Sequence, residues 1–130
     1  MADPEQNQDD ILRFITEEID SVPELEALLL LWQQRPNPWK TEALAKRLYI
    51  DPVVTRNILL DLKRKQLISA ATEEPDLFQY NSDSEERNQL IGRTEELYRR
   101  QIVRISTLIH SKPSSAVRDF ARAFRFTKEK

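Results

Sequence analysis

The period of the apolar residues changes twice between Thr41 and Tyr80, and that order of short elements leaves few folds open. Leu44, Ala45 and Leu48 have the spacing of an inner helix face, with Thr41 and Glu42 as N-cap and first residue and an end near Tyr49. Asp51-Pro52 opens a second helix after a tight connection, and Val54, Thr55, Ile58, Leu59 and Leu62 form one stripe along it. Its opposite face carries Val53, Arg56, Asn57, Leu60, Lys63 and Arg64. Residues 67–71 and 77–80 then read as two short strands around a five-residue loop, 72–76. A hairpin of that size is marginal alone in water and must lean on the helices.

Helical stripes flank this segment on both sides. Residues 1–8 are polar, acidic and aperiodic and are expected to be disordered. Ile11, Leu12, Phe14, Ile15 and Ile19 predict a helix over about 9–20. Ser21-Val22-Pro23-Glu24 has the form of a capping box, and the helix it opens should run to about Gln34. Leu25, Leu28, Leu29, Leu30, Leu31 and Trp32 leave that helix almost no polar face, so it is either central or shared with a second subunit. Ser82-x-x-Glu85 is another capping box, and Leu90, Leu97, Ile102, Ile105, Leu108 and Ile109 predict one long helix to about His110. Gly92, the single glycine, lies inside it at a cost of about 1 kcal/mol relative to Ala, which predicts a kink or a close contact. Thr94 with Glu95 and Glu96 would alternatively cap a fresh start. After Pro113, Val117, Phe120, Ala121 and Phe124 define a last amphipathic helix with Arg118, Arg122 and Arg125 on its polar side.

Composition removes most chemistry. The chain has 130 residues, enough for one domain, and no cysteine, which excludes disulfide frameworks, zinc ribbons and iron–sulfur centres. His110 alone supplies neither a metal cage nor a histidine-based triad, so no metal and no cofactor is expected. A single glycine rules out a Gly-rich phosphate loop, and the carboxylates lie on helix starts and loops, where capping and solvation account for them. No enzyme is expected. The longest apolar run, 27–32, is far short of the roughly 20 residues that span a bilayer, and the first twenty residues carry seven carboxylates and one Arg, unlike a secretory leader. A cytoplasmic protein with no membrane partner is the expectation. The net charge of −2 conceals alternating blocks: −8 over 1–34, +5 over 35–65, −6 over 66–96 and +7 over 97–130. Each basic block either attracts a polyanion or pairs with the acidic blocks in the fold.

Two short helices across a tight turn, followed by a hairpin, make a winged helix-turn-helix. The fold class expected is therefore mainly α with a small β-hairpin wing, with additional helices at both ends: a domain over 9–81, its helix-turn-helix at about 41–65 and its wing at about 67–80, then C-terminal helices over 82–130. The stretch 41–68 resembles the DNA-binding core of MarR-type and related bacterial winged-helix regulators, through Leu44-Ala45, Leu48, Ile50, Asp51-Pro52, Leu59-x-x-Leu62 and the Lys-Arg-Lys-Gln-Leu-Ile run into the wing. The resemblance implies a transcription regulator that binds double-stranded DNA with the second helix in the major groove. Arg56 and Asn57 are then base-edge candidates, Val53 and Thr55 candidates for a thymine methyl group unless Thr55 faces the core, and Lys40, Thr41, Lys63 and Arg64 phosphate contacts. It also implies a homodimer, with Leu90, Leu97, Ile105 and Leu108 spaced for helix pairing; the alternative is that this helix folds back on its own domain.

Two positions and one loop depart from the family's pattern. Tyr49 and Gln66 stand where such modules commonly have Gly, and the wing tip Glu73-Glu74-Pro75-Asp76 is acidic where DNA-touching wings bring cations. Either the wing points away from DNA or the module binds something else. The second reading is a winged-helix protein-interaction module, whose basic face docks an acidic protein partner.

Overall fold

Helix α2 (Val22–Gln33) lies at the centre of the molecule, as its lack of a polar face requires: Leu25, Ala27, Leu28, Leu29, Leu30 and Leu31 are all buried. The computed structural model describes residues 4–71 and 76–112, with side chains from residue 8 onward. Around α2 pack α3 (Thr41–Leu48), α4 (Pro52–Arg64), α5 (Glu85–Arg100) and α6 (Ile102–His110), while α1 (Pro4–Glu18) lies against α5 and α6. Three short antiparallel strands, β1 (Trp39–Lys40), β2 (Ser69–Ala70) and β3 (Leu77–Gln79), form a sheet in the order β1-β3-β2. The registers are Trp39 opposite Phe78, Lys40 opposite Leu77, Ser69 opposite Gln79 and Ala70 opposite Phe78. Phe78 and Tyr80 carry the sheet into the core that Ile58, Leu59, Leu62 and Leu67 share with α2. Each such side chain, moved from water, contributes roughly 1.5–3 kcal/mol, which is how a hairpin too small to stand alone is held.

Up to residue 112 the expected elements follow in the expected order, with adjusted boundaries, one added strand and one helix divided in two. Residues 4–8, read as part of a disordered tail, lie in α1, which starts at Pro4. Ser21 caps α2 as expected, its Oγ accepting from Glu24 N at 3.2 Å; the Glu24 carboxylate, however, accepts from Asp20 N at 2.9 Å instead of from Ser21. The N-cap of α3 is Lys40, not Thr41, and that of α5 is Ser84, not Ser82, whose Oγ accepts from Ser84 N. β1 was not expected: two residues have no period to read, and Pro36 and Pro38 before them signal only a helix stop. The long helix is divided, but at Gln101 (φ −131°, ψ 53°) and not at Gly92. Gly92 is the close contact instead, since a Cβ there would lie 3.0 Å from Trp32 Cζ2. Trp32 in turn carries the Arg35 guanidinium over its ring, 4.2 Å from the centroid. Thr94 caps nothing; it is buried and its hydroxyl donates to Leu90 O at 2.8 Å. The amphipathic helix expected after Pro113 lies outside the described residues, as do 72–75 of the wing.

Both departures from glycine sit where the backbone is left-handed. Tyr49 closes α3 with φ 58°, and Gln66 follows α4 with φ 64°. In each case the next residue reaches back to close the helix end, Ile50 N to Ala45 O at 3.1 Å and Leu67 N to Leu62 O at 3.0 Å, so the turn is retained. That conformation costs an L-residue about 1–2 kcal/mol, part of which glycine would return as chain entropy. Tyr49→Gly and Gln66→Gly should therefore each stabilise the fold by up to about 1 kcal/mol, read as a higher urea midpoint at unchanged m-value. The exposed Tyr49 side chain, 91% accessible, leaves little packing to lose.

Candidate nucleic-acid interface

Helix α4 is set by its cap and its inner face. Asp51 accepts from Val53 N at 2.7 Å and Val54 N at 3.3 Å, and Pro52 in the first turn has no amide to satisfy. Ile58, Leu59 and Leu62 are buried, so Val53, Arg56, Asn57, Leu60, Lys63 and Arg64 face solvent along the other side. Val54, assigned to the inner stripe, is 48% exposed. It lies about 100° round the helix from Thr55, on the flank of a stripe centred on 55, 58, 59 and 62.

Two of the expected contact residues are withdrawn from this surface. Thr55 is fully buried and its hydroxyl donates to Asp51 O at 2.9 Å, because the inner stripe passes through it. Thr41 is buried; its amide donates to Asp76 O at 3.1 Å and its hydroxyl is enclosed, so it offers nothing to a phosphate. Lys40 and Lys63 are exposed and make no ion pair among the described residues. Arg64 is exposed and pairs with Asp61 one turn back. Arg56 is paired with Asp76, the last residue of the acidic wing loop, with both side chains about half exposed. Nothing in the sequence ties those two residues together.

The basic run at the end of α4 also contains an interior cation that the sequence reading did not single out. Lys65 Nζ lies 2.9 Å from Glu24 Oε1, 2.9 Å from Asp61 Oδ2 and 3.1 Å from Asp20 Oδ2, and it donates to Glu18 O. It joins α4 to α1 and to the start of α2. Burial pushes the Glu24 carboxyl up to about 7, with the Asp61 hydrogen bond adding to it against the pull of Asp20 N and Lys65. For Asp61 burial acts in the same sense but is outweighed by hydrogen bonds from Glu24, Lys65 and Arg64, leaving it well below the usual carboxylate range. Burial opposes the Lys65 charge, yet Glu24 and Asp61 hold its pKa above the ordinary value. The three carboxylates have oxygens within 4.8 Å of one another, as a cation site would, but the ammonium stands among them.

The residues expected to form a dimer seam belong largely to this chain's own core. Leu97 and Ile105 are buried, at 6% and 0% exposure, and Leu90 and Leu108 pack against the same cluster. The stripe folds back because α5 and α6 have α1 and α2 to cover. The exposed apolar residues of α6 are Ile102 and Val103, one and two places past the break.

Helix-turn-helix, wing and flanking helices together define a winged-helix fold. No protein-family model and no curated protein sequence matches the chain. Solved structures do match in fold. MepR, a transcription regulator of the multidrug efflux pump MepA from Staphylococcus aureus, superposes with a TM-score of 0.53 at 17% identity, over 96% of this chain and 87% of that one. A point mutant of MepR bound to oligodeoxyribonucleotide gives 0.52 at 15% identity, over 96% and 88%. The adhesin competence repressor AdcR of Streptococcus pyogenes gives 0.50 at 14%, over 99% and 97%. The chain thus has the winged-helix fold of MarR-like transcription regulators, as the segment 41–68 implied. No helix among the described residues is long and apolar enough to cross a membrane.

The sign of the Glu24 effect is testable. A carboxyl raised from 4.5 to about 7 in the fold holds its proton more tightly there than in the unfolded chain, so its contribution is present at low pH and lost as pH rises through 7. Wild-type stability to urea should fall between about pH 5 and 8, and Glu24→Gln should flatten that slope. Lys65→Met, which leaves the buried Glu24 carboxyl and the partly exposed Asp20 and Asp61 without their cation, should cost about 1–3 kcal/mol.

Proposed function

We propose that this protein is a DNA-binding transcription regulator whose helix α4 enters the major groove of duplex DNA. The observation that carries the reading is the division of α4 into a face committed to the core and an outer face that presents Arg56, Asn57 and Lys63 to solvent at the edge of the fold. The major groove, about 12 Å wide, admits such a helix, and its base edges suit these side chains: guanine offers two acceptors to Arg, adenine a donor and an acceptor to Asn. Val53, 67% exposed in the first turn, would meet a thymine methyl group. Lys40, Lys63 and Arg64 would meet phosphates and set the register. That a MepR mutant of the same fold is bound to an oligodeoxyribonucleotide supports the reading. Pairing of two copies would set two α4 helices on successive half-sites; with Leu97 and Ile105 enclosed, Ile102 and Val103 are the apolar surface of α6 left for it.

A protein-interaction module is the second reading, favoured by the exposed Tyr49, Val53 and Leu60 and by the carboxylate on Arg56. Titration of duplex DNA at two salt concentrations separates the two. Arg56→Ala should lose sequence discrimination, while Lys63→Ala should weaken all duplexes alike and reduce the salt slope by about one unit. Binding indifferent to both changes, or no binding at low salt beside a stoichiometric protein complex, decides for the second.

A further inference from the structure

Arg56 is the one cation of the outer α4 face, among the described residues, whose partner comes from the wing. The partner of Arg64 lies on α4 itself, whereas Asp76 stands twenty residues beyond Arg56 in the chain. Asp76 is held in place by its own backbone: its carbonyl accepts from Thr41 N at 3.1 Å, and the next residue, Leu77, is in register with Lys40. An anchored carboxylate therefore meets the guanidinium at Nη1. No other hydrogen-bond partner of that group occurs among the described residues, so most of its five donors remain for a ligand. With 49% and 55% of the two side chains exposed, water screens the pair and it contributes little to the fold. Its consequence lies in where it holds Arg56 and in the charge it compensates.

We propose that Asp76 is a specificity-determining residue of the α4 surface, acting by positioning and partly neutralising Arg56. The proposal rests on the reading of α4 as a DNA-binding helix. Toward a phosphate the compensated guanidinium gains little, since the contact exchanges one anion for another and releases less counterion. Toward guanine the same group gains fully: O6 and N7 require two N–H groups in one plane, and a fork already fixed by a carboxylate loses less rotamer freedom in supplying them. Asp76 thus lowers affinity for unmatched duplexes while largely sparing the matched one, and the ratio of the two affinities rises. A carboxylate that would merely repel DNA becomes a filter when it is paired with the reading side chain.

The test uses the full chain, a random-sequence duplex, and the duplex that the wild type enriches from a random library. Asp76→Asn, and independently Asp76→Ser, should raise affinity for the random duplex several-fold, steepen its salt slope by about one unit and lower the matched-to-random ratio. Asp76→Glu should restore part of that ratio. In an Arg56→Ala background the same changes should leave the ratio where it was, since loss of plain repulsion acts on both duplexes alike. Random-duplex binding gained only on removal of Asp76 also supports the restraint. An unchanged ratio in both neutral variants, an equal fall without Arg56, or a wild type that binds duplex but enriches no sequence overturns the role of Asp76 and leaves the DNA-binding reading intact. Absence of duplex binding in wild type and variants alike overturns both.

Discussion

Burial of α2 on nearly every side, with only Glu26 and Gln33 exposed along it, is the constraint from which the remaining geometry follows. A helix whose leucines point in all directions needs neighbours in all directions, and α3, α4, α5 and α6 supply them. Because Ile58, Leu59 and Leu62 are committed to that packing, the orientation of α4 is set by its inner face, and the surface it shows to solvent is what remains. The demand for close approach explains Gly92 as well. The Trp32 ring lies where a side chain at that position would begin, so the single glycine permits contact between α5 and α2 rather than a bend.

Charge is arranged around this frame in two ways. Part of the positive block over 35–65 is internal or tied: Lys65 lies among carboxylates, Arg64 pairs with Asp61 and Arg56 with Asp76. Lys40, Lys46, Arg47 and Lys63 make no ion pair among the described residues and keep the field of the block outward. Helix α1 combines its charges with packing in a similar manner. It has no basic residue in its last turn, and its terminal carbonyls are met from elsewhere, by Lys65 at Glu18 O and by Lys112 at Ile15 O, 2.8 Å, and Ile19 O. Cations suit the negative end of a helix dipole, and here they also fasten the first helix to α4 and to the end of α6.

Much of the fold was legible because the signals involved are local. A Ser or Asp cap, a Pro in the first turn and a stripe at 3.6-residue spacing each depend on residues a few places apart, and α2 and α4 carry all or most of these marks. The positions that break the glycine pattern were legible too, and both adopt the left-handed backbone such positions demand. β1 and the division at Gln101 were not, since a two-residue strand has no period and no proline or glycine marks the break. Of the candidate contacts, the outward set Val53, Arg56, Asn57, Lys63 and Arg64 followed from the helix period, whereas Thr41 was misplaced because its burial depends on tertiary packing that residue type and short spacing do not show.

Sequence alone determined which side of each helix is apolar, where most helices begin, and that the chain holds no cysteine and a single histidine, because these depend on residue type and short spacings. It did not determine what an apolar side is buried against. Leu97 and Ile105 have the spacing of an intersubunit seam, and only the return of α5 and α6 onto α1 and α2 made them core. The partners of the charges were likewise settled in space: Arg56 and Asp76, or Lys65 and Glu24, are distant along the chain, and an ion pair responds to separation in ångströms rather than in residues.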